Sequence, residues 1–129
     1  MNEKVTVHHA ERKAGRLWLR ADLPVSLADV APKRHMLVDS DGLAFVYLLE
    51  TDDRFLYVAI PQQWWRELKA TLAAKEPVWL QSGEEAVELE QFDEELAYLL
   101  DNIRGNANYG EELEQAVQEV FFTEKIHGQ

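Results

Sequence analysis

The chain reads as α+β: a largely antiparallel sheet of hairpins and a meander, packed with about three helices, two of them C-terminal. Three observations predict this. Between residues 5 and 60, apolar stretches of strand length alternate with polar corners. Three later segments space their apolar residues at the helical period. Two strands in the middle are apolar at nearly every position, which calls for cover on both faces. With 129 residues and no repeat, low-complexity tract or long Gly/Ser/Pro linker, residues 1–129 are expected to form one domain around one core.

Val5-Thr6-Val7-His8 and Arg16-Leu17-Trp18-Leu19-Arg20 flank a polar corner, Glu11 to Gly15, and are expected to pair as a hairpin. In the second arm Leu17 and Leu19 share one face and Arg16, Trp18 and Arg20 the other, because side chains alternate along a strand. Residues 23–33, holding Pro24 and Pro32, predict irregular chain or one short helical turn. His35 to Val38 and Leu43 to Leu49 then flank Asp39-Ser40-Asp41-Gly42, and the corner Thr51 to Arg54 leads into Phe55 to Ile60. In this meander Phe45, Tyr47 and Leu49 face one way and Ala44, Val46 and Leu48 the other. Both sets are apolar, so helices, a second sheet layer or another subunit should cover each side.

Pro61 opens a helical pattern in which Ile60, Trp64, Leu68 and Leu72 recur every four residues; proline is harmless at the first helical position. The pattern should stop near Lys75, because the residue before Pro77 is pushed out of the α region. Trp64 fits the inward stripe, whereas Trp65, 100° further round, is expected to border solvent or a partner. Val78-Trp79-Leu80 and Val87-Glu88-Leu89 read as a short last hairpin turning at Ser82-Gly83. Phe92, Leu96, Leu99, Leu100 and Ile103 form one stripe of a helix whose first turn holds Asp93, Glu94 and Glu95, where acids suit the helix dipole. A last helix should turn Leu113, Ala116, Val117, Val120 and Phe121 inward.

The chain has no cysteine, which removes disulfides, thiolate catalysis and cysteine zinc sites. The N-terminus lacks a signal-peptide pattern, and the longest uncharged apolar run, Gly42 to Leu49, is too short to cross a bilayer. A cytoplasmic location without membrane insertion is the expectation. The net charge of −11 is uneven: residues 1–60 carry eight Lys/Arg against nine Asp/Glu, and residues 61–129 carry five against fifteen. An acidic half of this kind repels phosphate, so nucleic acid is not an expected partner.

Each eye-catching motif has a structural reading. Asp39-Ser40-Asp41-Gly42 fails as a calcium loop because Leu43 and Ala44 occupy the positions that need a ligand and a glycine; it suits a tight turn with Asp39 as side-chain acceptor and Gly42 at positive φ. Gly105-Asn106-Ala107-Asn108-Tyr109-Gly110 has the glycine spacing of a phosphate loop, but Glu111-Glu112 stands where Lys and Ser/Thr belong. It is expected to join two helices, Gly105 closing one and Asn108 with Glu111 capping the next. His8, His9, His35 and His127 show no metal-ligand spacing, no serine lies in a nucleophile motif, and the acids from Glu84 to Glu95 read as a solvated face. No catalytic residue, metal or cofactor is assigned.

Two aromatic features are better candidates for recognition. Arg16, Trp18 and Arg20 form a cationic and aromatic strip of a composition enriched at protein interfaces, able to meet an acidic surface such as the C-terminal half of a second copy. Trp65 is the other candidate partner-binding residue.

The segments RHMLVDSDGLAFVYLLE, FLYVAIPQQWW and FDEELAYLLDNIRGNANYGEELEQAV resemble the YjbL-like family, small uncharacterised proteins of Bacillus-type Gram-positive bacteria. The resemblance covers the chain from about residue 34 onward and leaves the first hairpin outside. It implies a bacterial cytoplasmic protein and carries over no catalytic residue. The function expected is a non-enzymatic interaction or regulatory domain that binds a protein partner or itself as a homodimer. The alternative is a small enzyme or small-molecule binder with a pocket between sheet and helices, using Asp39, Asp41 or Tyr109.

Overall fold

The structure, a computed structural model, describes residues 2–122. Its strands are β1 (Glu3–Thr6), β2 (His9–Lys13), β3 (Arg16–Arg20), β4 (Ala31–Asp39), β5 (Ala44–Glu50), β6 (Phe55–Pro61), β7 (Val78–Ser82) and β8 (Glu85–Glu88). The helices are α1 (Trp65–Ala74), α2 (Phe92–Ile103) and α3 (Glu111–Val117), the last running on into a π turn, Gln118–Phe122. The fold is α+β with two of its three helices C-terminal.

Two mixed four-stranded sheets form, ordered β1-β6-β5-β4 and β2-β3-β7-β8. Four of the strand pairings are antiparallel and two, β1 with β6 and β3 with β7, are parallel. The Val7 N–H donates to the Ala59 carbonyl (2.8 Å) and the next one, His8 N–H, to the Arg20 carbonyl (2.9 Å). Successive amides of an extended chain point to opposite sides, so the β1–β2 segment serves as a strand of both sheets and joins them.

The inner sides of both sheets and all three helices share one core. Leu17, Leu19, Phe45, Tyr47, Leu49, Leu56, Ile60, Leu80, Trp65 and Leu68 are fully buried in it. Helix α2 lies on β4, and α1 reaches β2 and β3. All five residues of the predicted α2 stripe are buried, as are Leu113, Ala116 and Val117 of α3, so the apolar period places these helices correctly.

The meander β4-β5-β6 forms as expected, but the first hairpin is displaced. Glu3–Thr6 pairs with β6 instead, and the partner of β3 is His9–Lys13, turning through Ala14 and Gly15, both at positive φ (55° and 76°). Such a two-residue turn matches the twist of its strands. Strand β4 starts earlier than predicted, at Ala31, and tolerates Pro32 because it is a sheet edge whose register slips between Pro32 and Met36. At the next turn Asp39 Oδ1 accepts the Gly42 N–H (3.0 Å), but the positive φ (49°) falls on Leu43. A Cβ on Gly42 would stand 2.5 Å from Asp39 Oδ2, so a larger residue there would have to push aside the carboxylate that accepts the Gly42 N–H.

Gly105, φ 69°, closes α2 as predicted. The expected Asn108–Glu111 cap does not form. Asn106 Oδ1 accepts the Asn108 N–H (3.0 Å) within a 3₁₀ turn over Ala107–Tyr109, and Gly110, φ 96°, precedes α3. His127 lies outside the described residues.

Candidate functional site

The parallel pairing of β3 with β7 sets Leu17 beside Val78, Trp18 beside Trp79 and Leu19 beside Leu80. Leu17, Leu19, Val78 and Leu80 point into the core, so alternation turns both tryptophans outward. The indoles lie 5.8 Å apart, tilted by 41°, and both remain half-buried. The Arg16 guanidinium sits 4.5 Å from the Trp79 ring centre and 5.6 Å from that of Trp18, within cation–π range of both.

Register supplies the surroundings. Glu11 on β2 lies beside Trp18 and Glu88 on β8 beside Trp79, while Lys13 neighbours Arg16 and His9 neighbours Arg20. The face therefore has an aromatic centre, a cation at each end of the β3 strip and a carboxylate on each flank. At its rim His9 meets the ring of Trp64, the residue just ahead of α1. Arg16, Trp18 and Arg20 thus share one surface, and Trp79 joins them. The missed signal was repetition: Leu17-Trp18-Leu19 and Val78-Trp79-Leu80 carry the same in-out-in pattern.

Trp65 does not belong to this surface. It is 0% exposed, donates its Nε1–H to the Ile60 carbonyl (3.1 Å) and packs on Phe45 and Phe121 at ring distances of 4.9 and 5.9 Å. The expectation that it borders a partner is corrected. A 3₁₀ turn over Gln62–Trp64 precedes α1, and its three residues per turn shift the phase so that Trp65 takes the inward position. Trp64 stays half-buried, meeting the His9 ring edge-on at 5.7 Å.

The outer face of the other sheet is built differently. Ala44, Val46 and Ala59 are buried there in a small cluster of their own, with Leu48 and Tyr57 packed against them. Lys4 on β1 and Asp39 on β4 pair with Tyr57 and Ala44, so both project from this face. Their side chains nonetheless meet, Nζ to Oδ2 at 3.9 Å, although β6 and β5 lie between the two strands. The sheet must coil to bring opposite edges so close, and the pair spans the small residues beneath.

The residues of the pocket alternative do not converge. Asp39 is engaged by Gly42 and Lys4, Asp41 is exposed, and Tyr109 packs against the main core. A surface depression of about 470 Å³ borders the β4–β5 turn but is lined by Gly42, Leu43, Pro61, Gln62 and Gln63. A groove of about 840 Å³ beside α1 is lined by residues including Arg66, Ala70, Ala73, Glu119 and Val120. Among the described residues, no three His, Asp or Glu side chains gather to hold a metal, and no helix is long and apolar enough to cross a membrane.

Among the described residues two ionisable groups are shifted, each for a structural reason. Burial pushes the Tyr47 phenol up to about 12; its hydroxyl donates to the Glu90 carbonyl at 2.7 Å and its ring stacks on Phe92. Glu85 is held below the usual carboxylate range by the Ser26 hydroxyl (2.7 Å) and the Leu27 N–H (2.9 Å), through which it fastens the loop before β4. Neither group lines either of the two depressions above.

Comparison with known proteins fixes the family. A profile described as a family of unknown function, UPF0738, matches residues 5–121. The chain belongs to the UPF0738 family. It is 74% identical over 125 residues to a UPF0738 protein of Geobacillus thermodenitrificans, covering 96% of this chain and all of that one. It is 45% identical over 121 residues to the UPF0738 protein YjbL of Bacillus subtilis, covering 94% and 99% of the two chains. The likeness to UPF0738 reaches further than the segments from residue 34 onward and takes in the first strands. No solved structure matches this chain.

Proposed function

We propose that this UPF0738 member is a non-enzymatic, cytoplasmic interaction or regulatory domain that self-associates as a homodimer through the outer face of β2-β3-β7-β8. The observation that carries this reading is the pair Trp18 and Trp79, held in register on the outer face, half-buried and bridged by Arg16. Two rigid aromatic rings beside a guanidinium held over them are the chemistry that dominates binding energy at protein interfaces. The edges support the choice of a face. Strand β4 carries Pro32, two adjacent cations and a register slip, and β8 is four residues long with a glutamate at each end. Both are devices that discourage strand addition.

Native mass spectrometry at low micromolar concentration tests the reading. The wild-type chain should appear as a dimer, and Trp18→Ala with Trp79→Ala should appear as a monomer with an unchanged circular dichroism spectrum. A wild-type chain that stays monomeric at tens of micromolar would overturn the homodimer.

A further inference from the structure

We propose that the occupant of the tryptophan face is helix α2 of a second copy, presented through Glu94, Ala97, Tyr98 and Asp101. This rests on the reading above and names the partner segment for that same face. The inward stripe of α2 is spent on its own core, and what remains outside is acidic around one large ring. Tyr98 is 66% exposed, the largest exposure among the large apolar side chains described, and Ala97 beside it is exposed as well. Glu94 lies one turn before Tyr98 and Asp101 one turn after, on the same side of the helix, and α2 holds no basic residue.

The two surfaces match in order and in length. Along β3 the sequence is cation, aromatic, cation: Arg16, Trp18, Arg20. Along α2 it is acid, aromatic, acid: Glu94, Tyr98, Asp101. Four residues of strand place the arginines about 13 Å apart, and seven residues of helix place the carboxylates about 10 Å apart, a difference that long side chains absorb. Tyr98 then lies against the indoles, where an offset ring contact is favourable, and the small Ala97 leaves room for Trp79. Each copy carries both surfaces, so a two-fold axis can close the dimer with two identical contacts.

Charge reversal tests this. Arg16→Glu with Arg20→Glu, and separately Glu94→Lys with Asp101→Lys, should each raise the dimer Kd at least about tenfold, equivalent to about 1.4 kcal/mol. A chain carrying all four changes should dimerise again to within a few-fold of wild type, because both contacts are restored with opposite sign. Tyr98→Ala should weaken the dimer without altering charge. Circular dichroism and thermal melts establish that each variant is folded. If the Trp18→Ala and Trp79→Ala chain is monomeric while the α2 variants dimerise as wild type does, the face binds another surface: this inference falls and the homodimer reading stands. A folded four-fold variant that remains monomeric also overturns it. A monomeric wild type removes both.

Discussion

The two outer sheet faces differ both in how much apolar sequence they carry and in how they treat it: β1-β6-β5-β4 is apolar at most outward positions, whereas β2-β3-β7-β8 sets two tryptophans among charged residues. On β1-β6-β5-β4 the centre consists of small side chains, Ala44, Val46 and Ala59, sunk between Leu48 and Tyr57 and spanned by the Lys4–Asp39 pair. On β2-β3-β7-β8 the centre consists of the largest side chains available, Trp18 and Trp79, half-buried side by side with the Arg16 guanidinium within cation–π range of both. Apolar composition alone therefore does not mark an interface. A strand that is apolar on both faces can be covered by its own sheet when its outward residues are small and the sheet coils; large rings on a covered core have nowhere to go but outward.

The largest expected effect separates the faces by substituting the same charge into each. Val46→Asp should cost about 3 kcal/mol in chemical denaturation, because the carboxylate enters a buried site among Ala44, Ala59, Leu48 and Tyr57. Trp79→Asp on the other face should cost about 1 kcal/mol, the ring contact being lost but the charge remaining hydrated. Equal losses would mean that the faces are equally open and that the contrast is mistaken.

Next comes the inner side of β5, where Tyr47 alternates with Val46. The neutral phenol is favoured in the folded state, so its contribution is complete below pH 10, the ordinary tyrosine value, and disappears as the pH rises through about 12. The shift is equivalent to about 2–3 kcal/mol of stability lost over that window. Tyr47→Phe should flatten that part of the stability profile and cost about 1 kcal/mol at neutral pH, where the Glu90 carbonyl loses its donor. Denaturant midpoints measured from pH 8 to 12 for both chains supply the check, and a parallel decline would remove Tyr47 as the cause.

Local pattern made much of this legible. The meander, all five inward residues of α2 and the joining role of residues 105–110 follow from period and turn chemistry acting over a few residues. The parallel pairings did not, because β1 with β6 and β3 with β7 join segments about fifty to sixty residues apart, and no periodicity within either segment names its mate. The error at the first hairpin has the same origin: Val5 alternates equally well whether its neighbour is β3 or β6. Trp65 was misplaced by a single 3₁₀ turn, which changes the phase of a helix without changing its composition. Of the candidate surface, the β3 strip could be read from alternation, but Trp79 becomes part of it only through the long-range pairing.

A smaller effect sharpens the account of the self-covered face. Lys4→Met keeps the methylene stem and removes the charge, whereas Lys4→Ala removes both. If the stem shields Ala59 and Val46, Lys4→Met should lie within about 0.5 kcal/mol of wild type and Lys4→Ala should lose about 1 kcal/mol. The pair is long, 3.9 Å, and its Lys4 end is exposed, so raising the salt concentration should change the wild-type midpoint little. A Lys4→Met loss matching that of Lys4→Ala would assign the effect to charge and leave the small residues without their cover.

The smallest effect concerns Arg16. Its guanidinium lies over Trp79 at 4.5 Å, both groups half-buried, where a cation–π contact contributes about 0.5–1 kcal/mol. Arg16→Gln should therefore scarcely move the denaturation midpoint of the folded chain. It should nevertheless change how the indoles meet solvent, because the planar group that lies across both rings is gone, and tryptophan emission should shift to longer wavelength with easier quenching by iodide. The same substitution on the self-covered face has no counterpart, since no tryptophan stands there. A stability loss of 2 kcal/mol or more would place Arg16 among the groups that hold the fold, and the face would then be structure first and recognition surface second.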